Sequence, residues 1–137
     1  MTYQPHAFPV SVKGVVVQHG RVLLLKNERD EWELPGGKLE LGEALPERLR
    51  VRIAQESGWQ VTVGPILDSW QYHIREGVDV LIVTYGAHVD SDAVPTLSGD
   101  YPEAALFDES EVACLNMPEP YKRSIADWYG RLRESVR

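Results

Sequence analysis

The residues best able to do chemistry lie close together. Glu40 and Glu43 share a short stretch with Gly36, Gly37, Lys38 and Gly42, and Arg52, Gln55 and Glu56 follow a few turns on. The glycines let a loop take backbone angles that other residues resist, which suits close approach to a charged ligand. On a helix, positions 52, 55 and 56 share one face by three- and four-residue spacing. That face would carry one cation, one amide and one carboxylate. A glycine-rich acidic loop running into such a helix is a way to hold a metal-bound phosphate. Magnesium takes oxygen ligands, usually one or two carboxylates with substrate phosphate and water. Glu56 offers one such oxygen and Gln55 a neutral one, whereas Arg52 either repels a cation or pairs with phosphate in its place. The simpler alternative for Arg52 is an ordinary surface pair with Glu56 at i,i+4, worth about 0.3 kcal/mol.

These residues need a helix and a sheet to position them. Ala44 to Trp59 reads as the helix, ending at Ser57-Gly58: Leu45, Leu49 and Ile53 recur every four residues and make one apolar stripe. Pro46 suits its first turn and Gly58 the position after its last. Upstream, Val10–Gln18 and Arg21–Lys26 read as two strands of a hairpin turning at His19-Gly20, apolar enough to be buried on both faces. Asn27–Asp30 is a polar loop, and Trp32–Leu34 a short strand.

Beyond the helix, Gln60–Val63 is a strand broken by Gly64-Pro65, and Ile66–Ile74 and Val78–Val89 form a second hairpin about Arg75-Glu76-Gly77. Trp70, Tyr72 and Tyr85 in these strands suit packing, with stacking on a base as the alternative. Asp90–Gly99 is a polar loop and Ala104–Phe107 a short strand. Asp108–Glu111 starts a helical turn that ends at Met117-Pro118, and Glu119-Pro120 opens a last helix with Tyr121, Ile125, Trp128, Tyr129 and Leu132 on one face. Arg131, Arg133 and Arg137 near its end favour the helix dipole. This order predicts one α+β domain over residues 1–137, a sandwich with a mixed sheet between helices.

The central stretch resembles the Nudix box, G-x5-E-x7-R-E-U-x-E-E-x-G-U, where U is bulky and apolar. Gly37 and Glu43 stand at the right separation, and Ile53, Glu56, Gly58 and Trp59 fit further on, with Leu34-Pro35-Gly36-Gly37 as the entry. The chain departs from the pattern where Val51-Arg52 replaces R-E and Gln55-Glu56 replaces E-E. The resemblance implies a Nudix-like α/β/α sandwich and hydrolysis of a nucleoside diphosphate linked to another group, with Mg2+ or Mn2+.

It makes Glu56 the surviving helix ligand and Glu43 the box glutamate. Gln55 stands where a second metal-binding glutamate belongs, and Arg52 where an acid serves as base or ligand. Gly36, Gly37, Lys38 and Glu40 fall in the ligand-holding loop. A basic residue before the box, Lys26 or Arg29, is expected at substrate phosphate, and a late carboxylate, Asp100 or Glu103, at metal or water. With two of three helix carboxylates replaced, the metal site is expected to be weakened. An inactive nucleotide-binding module is the competing expectation. A homodimer is a further expectation that comes with the family.

Composition narrows the field. The chain of 137 residues has net charge −7, a poor basis for sequence-independent binding of nucleic acid or anionic membrane. A small phosphorylated ligand needs only a local cluster of donors. Cys114 is the sole cysteine, so there is neither an internal disulfide nor a cysteine-based zinc site; this fits a reducing cytoplasm. Between Ala113 and Leu115 it reads as core filler rather than nucleophile. Met1–Phe8 lacks the features of a signal peptide, and no apolar run has membrane-spanning length.

Overall fold

Strand β1, Val10–Gln18, organises the sheet. The computed structural model describes residues 7–96 and 103–135; residues 97–99 of the expected polar loop, Asp100 and Arg137 lie outside that range. Along one side β1 pairs in parallel with β6, Val78–Val89, from Val10 opposite Leu81 to Val17 opposite His88. Its other side is shared. The end at Val17 and Gln18 pairs with β2, Arg21–Lys26, and the beginning at Ser11–Lys13 pairs with β4, Gly36–Lys38. Strand β2 continues to β3, Trp32–Glu33, and to β7, Glu103–Asp108, while β5, Val61–Arg75, forms the hairpin with β6. Among the described residues, one parallel pairing among antiparallel ones makes the sheet mixed.

A helix covers each face. On one side α1, Leu45–Ser57, lays Leu45, Leu49 and Ile53 against Val12, Val16, Val83, Tyr85 and Trp59. On the other, α3, Glu119–Ser135, lays Tyr121, Ile125, Trp128 and Tyr129 against Val15, Val22, Leu24, Val80 and Ile82. Between β7 and α3 lies α2, Glu109–Val112. The α/β/α sandwich with a mixed sheet expected from the sequence is the observed fold. Successive residues of β1 serve opposite layers, as a pleated strand requires. Val10, Val12 and Val16 face α1, and Val15 and Val17 face α3.

Three local expectations are corrected. Gly64-Pro65 does not end a strand: β5 runs through it, and the pairing register shifts between Val63 and Ile66 and again between Ile66 and Asp68. A bulge absorbs the extra residues, so the proline's missing donor costs no ladder position. Gly36–Lys38 is not loop but strand β4; its pairing partner β1 is distant in sequence and left no local pattern. Cys114 is exposed, because the short α2 has ended before it and Val112 and Met117 take the inward positions.

Candidate functional site

The entry to the helix is fixed by Gly36. Its φ of 146° lies in the region that favours glycine, and a Cβ there would stand 1.9 Å from the Val12 carbonyl oxygen. This conformation aims the Gly36 N–H at Glu56 Oε1, at 3.0 Å. Glu56, 2 % exposed, thus joins α1 to β4. Its Oε2 lies 3.5 Å from Arg52 Nη2, one helical turn earlier. Arg52 in turn lies over Gly37, where an added Cβ would meet Nε at 2.9 Å. The missing side chain at 37 leaves the room that lets the guanidinium reach past the β4 edge.

Beside this edge opens a cleft of about 480 Å3 on the α3 face of the sheet. Ser11 and Lys13 of β1 form part of its floor, continued by Val80 and Ile82 of β6 and by Tyr72 and Ile74 of β5. Lys38 pairs across from Ser11, which puts it diagonally beside Lys13 on the same sheet face. Arg52 closes one side, Asn27–Arg29 and Glu33 another, and Tyr121 of α3 the back. Among the described residues, four cations and two carboxylates, Glu28 and Glu33, therefore line a cleft in a chain of net charge −7. Lys13 is 7 % exposed, and its Nζ lies 3.6 Å from Glu33 Oε1.

Asn27 holds the rim. Its side-chain oxygen accepts the N–H groups of Arg29 and Glu31, and its amide donates to Glu33 Oε2. Arg29 pairs with Glu28 and Glu31, and the Tyr72 hydroxyl donates to Glu31. Burial first, then this bond to Glu31, pushes the Tyr72 phenol above its ordinary pKa. Burial likewise drives Tyr121 well up. Both rings therefore stand in the cleft as neutral phenols, apolar in body with a polar tip.

The remaining expected residues are placed as follows. Lys38 lines the cleft, and its carbonyl accepts from Arg48 Nε. Glu43 turns to its own loop, where Oε1 accepts the Glu40 N–H at 2.7 Å and lies 3.6 Å from Arg48 Nε. Gln55 is exposed and is not part of the cleft wall. Lys26 is paired with Asp30 and lies over the Trp32 ring, outside the wall. Glu103 starts β7 opposite Lys26. Of the aromatic residues, Tyr72 lines the cleft, Trp70 packs on Tyr121, and Tyr85 is buried on the α1 side. Lys13, Ser11, Glu33 and Tyr121 went unmarked as site residues in the sequence. Lys13 did carry a signal, as a lone cation between Val12 and Gly14 in an otherwise uncharged strand.

This donor set does not fit a divalent cation. Among the described residues, no group of three or more His, Cys, Asp or Glu could hold a metal ion. The box carboxylate behind the wall, Glu56, is buried, accepts the Gly36 N–H and faces the Arg52 guanidinium. The cleft wall carries more cations than carboxylates, with Lys13, Arg29 and Arg52 each facing a carboxylate. Among the described residues, no helix is long and apolar enough to cross a membrane.

Comparison with known proteins gives a consistent answer. The family model of the NUDIX domain matches residues 7–129. No curated protein matches the chain in sequence. Among solved structures, the fold is similar to that of a NUDIX hydrolase from Nitrosomonas europaea, at 21% identity and a TM-score of 0.75 over 90% of each chain. It is also similar to a MutT protein from Methanosarcina mazei Go1, at 21% identity and 0.72 over 98% of this chain and 99% of that one. A NUDIX-family hydrolase from Clostridium perfringens gives 0.77 at 16% identity, over 90% and 97%.

Proposed function

The chain belongs to the Nudix family, and from that premise we propose that its cleft takes a nucleoside diphosphate linked to a second group and cleaves the phosphoanhydride slowly. The observation that supports this is the two-sided lining of one cleft. Lys13, Lys38 and Arg52 line it from β1, β4 and α1, and Tyr72, Ile74, Val80 and Tyr121 from β5, β6 and α3. A diphosphate needs its charge neutralised before water can attack phosphorus. The three cations supply that neutralisation, and the apolar side receives the uncharged part of the ligand. Attack by water transfers a phosphoryl group to it and releases the other phosphate as leaving group. Members of this family generally draw their activated water from a divalent metal. Glu56 alone, bonded to the Gly36 N–H and facing Arg52, would hold such an ion weakly, so turnover is expected to be low.

A second reading, a nucleotide-binding module without turnover, draws on one observation. Arg52 occupies the helix position where the family has an acid, and it is held between Gly37 and Glu56. One experiment separates the two. The protein is incubated with magnesium or manganese and a panel of ADP-ribose, dinucleoside polyphosphates and nucleoside triphosphates, alongside the double variant Arg52→Glu, Gln55→Glu. Slow cleavage by the wild type, with faster metal-dependent cleavage by the variant, supports the hydrolase. Nucleotide binding measured by calorimetry, with no cleavage by the wild type, supports the module.

A further inference from the structure

We propose that this cleft binds the diphosphate group directly, with Lys13, Lys38 and Arg52 standing in for a divalent cation, so that binding requires no metal. The inference deepens the nucleotide reading above and rests on it. It starts from the mismatch between the box and its usual ion. Magnesium binding needs anionic oxygens converging on one point. Here the Glu56 carboxylate is held by the Gly36 N–H at 3.0 Å and faces Arg52 Nη2 at 3.5 Å. An ion entering beside Glu56 would have to displace a guanidinium fixed to its own helix and packed over Gly37.

The cations that remain are arranged for an anion. Lys13 is buried in the floor, an expensive place for an ammonium unless something nearby compensates it. Glu33 compensates it only in part, because the pair is 3.6 Å long and Glu33 Oε2 also accepts from Asn27. Register sets Lys38 diagonally across from Lys13. Arg52 approaches over Gly37 from the other layer, with its Nε buried there and its side chain 24 % exposed at the cleft wall. Cations thus approach one cleft from three backbone segments, β1, β4 and α1, with donors left to give. A diphosphate carries enough oxygens to accept from all of them, and a planar guanidinium matches two phosphate oxygens at once.

Charge decides the competition with magnesium. A metal ion bound to the diphosphate cancels the charge that these side chains recognise, so free nucleotide should be preferred over its magnesium complex. The probes are ADP and inorganic pyrophosphate, titrated by calorimetry into the full chain, once in excess EDTA and once in millimolar magnesium. The expected result is binding in EDTA that magnesium weakens. Arg52→Gln and Lys38→Met should each weaken ADP binding in EDTA by roughly tenfold to hundredfold, the value of one charge-assisted hydrogen bond.

Lys38 is exposed, so its variant keeps the fold and tests the claim even if Arg52→Gln destabilises the chain. Binding that appears or tightens only with magnesium overturns metal-free capture and leaves the nucleotide reading intact. ADP affinity in EDTA indifferent to both substitutions also overturns it. Absence of ADP binding under both conditions overturns the nucleotide reading, and this inference with it.

Discussion

Gly37→Ala separates the cleft from the fold. The added Cβ would lie 2.9 Å from Arg52 Nε and 3.3 Å from its Cδ and Cγ. Ordinary contact begins near 3.4 Å, so Arg52 must retreat by about 0.5 Å, and only a flexible side chain stands in the way. No strained backbone opposes alanine in this strand, and removing a glycine from the unfolded chain returns about 0.5 kcal/mol. Stability to urea is therefore expected within about 1 kcal/mol of wild type. Ligand affinity behaves differently. A guanidinium displaced from phosphate forfeits about 1.5–3 kcal/mol, which is a roughly tenfold to hundredfold rise in the Kd for ADP. Paired denaturation and calorimetry measure both quantities on one preparation. Unchanged affinity in a stably folded Gly37→Ala protein would refute the placing of Arg52 at the ligand. A stability loss far above 1 kcal/mol would refute the claim that glycine is there to make room for a side chain.

The neighbouring substitution, Gly36→Ala, is expected to cost about 3 kcal/mol or more in a urea melt, because its Cβ would strike the Val12 carbonyl and its φ of 146° disfavours alanine. Glu56→Gln should lower stability by about 2 kcal/mol, since it leaves the Arg52 guanidinium without its carboxylate; a melt indistinguishable from wild type would contradict the buried pairing. Tyr129 donates to the Gly20 carbonyl at 2.7 Å, and burial with Glu109 and Asp108 nearby pushes its pKa up to about 12. A raised folded-state value means its contribution is fully present below pH 10 and is lost as pH rises through about 12. The stability difference between wild type and Tyr129→Phe, about 1 kcal/mol at neutral pH, should therefore shrink over that interval, and a constant difference would refute the assignment.

The helix α1 and strand β1 were legible because each is long and carries its own period. Leu45, Leu49 and Ile53 needed no distant partner to announce a face. Strand β4 was not legible, because three residues, two of them glycine, have no pattern of their own and become a strand only by pairing with β1. The same limit hid the cleft. Lys13, Lys38, Arg52 and Tyr121 are far apart in the chain, and pairing register brings them to one cavity. Helical spacing grouped Arg52, Gln55 and Glu56, yet only Arg52 lines the cleft, with Glu56 buried and Gln55 exposed. A three-residue step gives an angular neighbourhood; the orientation of the helix against the sheet decides which neighbours face inward. Cys114 shows the converse error, since apolar neighbours in sequence imply no shared face once a helix has ended.

The alternation along β1 carries a consequence for assembly of the sheet. Moving this strand by a single step against its partners would exchange its two faces and drive the Lys13 ammonium into the space that Gly14 leaves beside Leu49 and Ile53. That cluster is built of apolar side chains, so the slipped arrangement would part the ammonium from Glu33 and bury it at a cost. One lysine in a valine-rich segment thereby disfavours that misalignment, independently of whatever the protein binds.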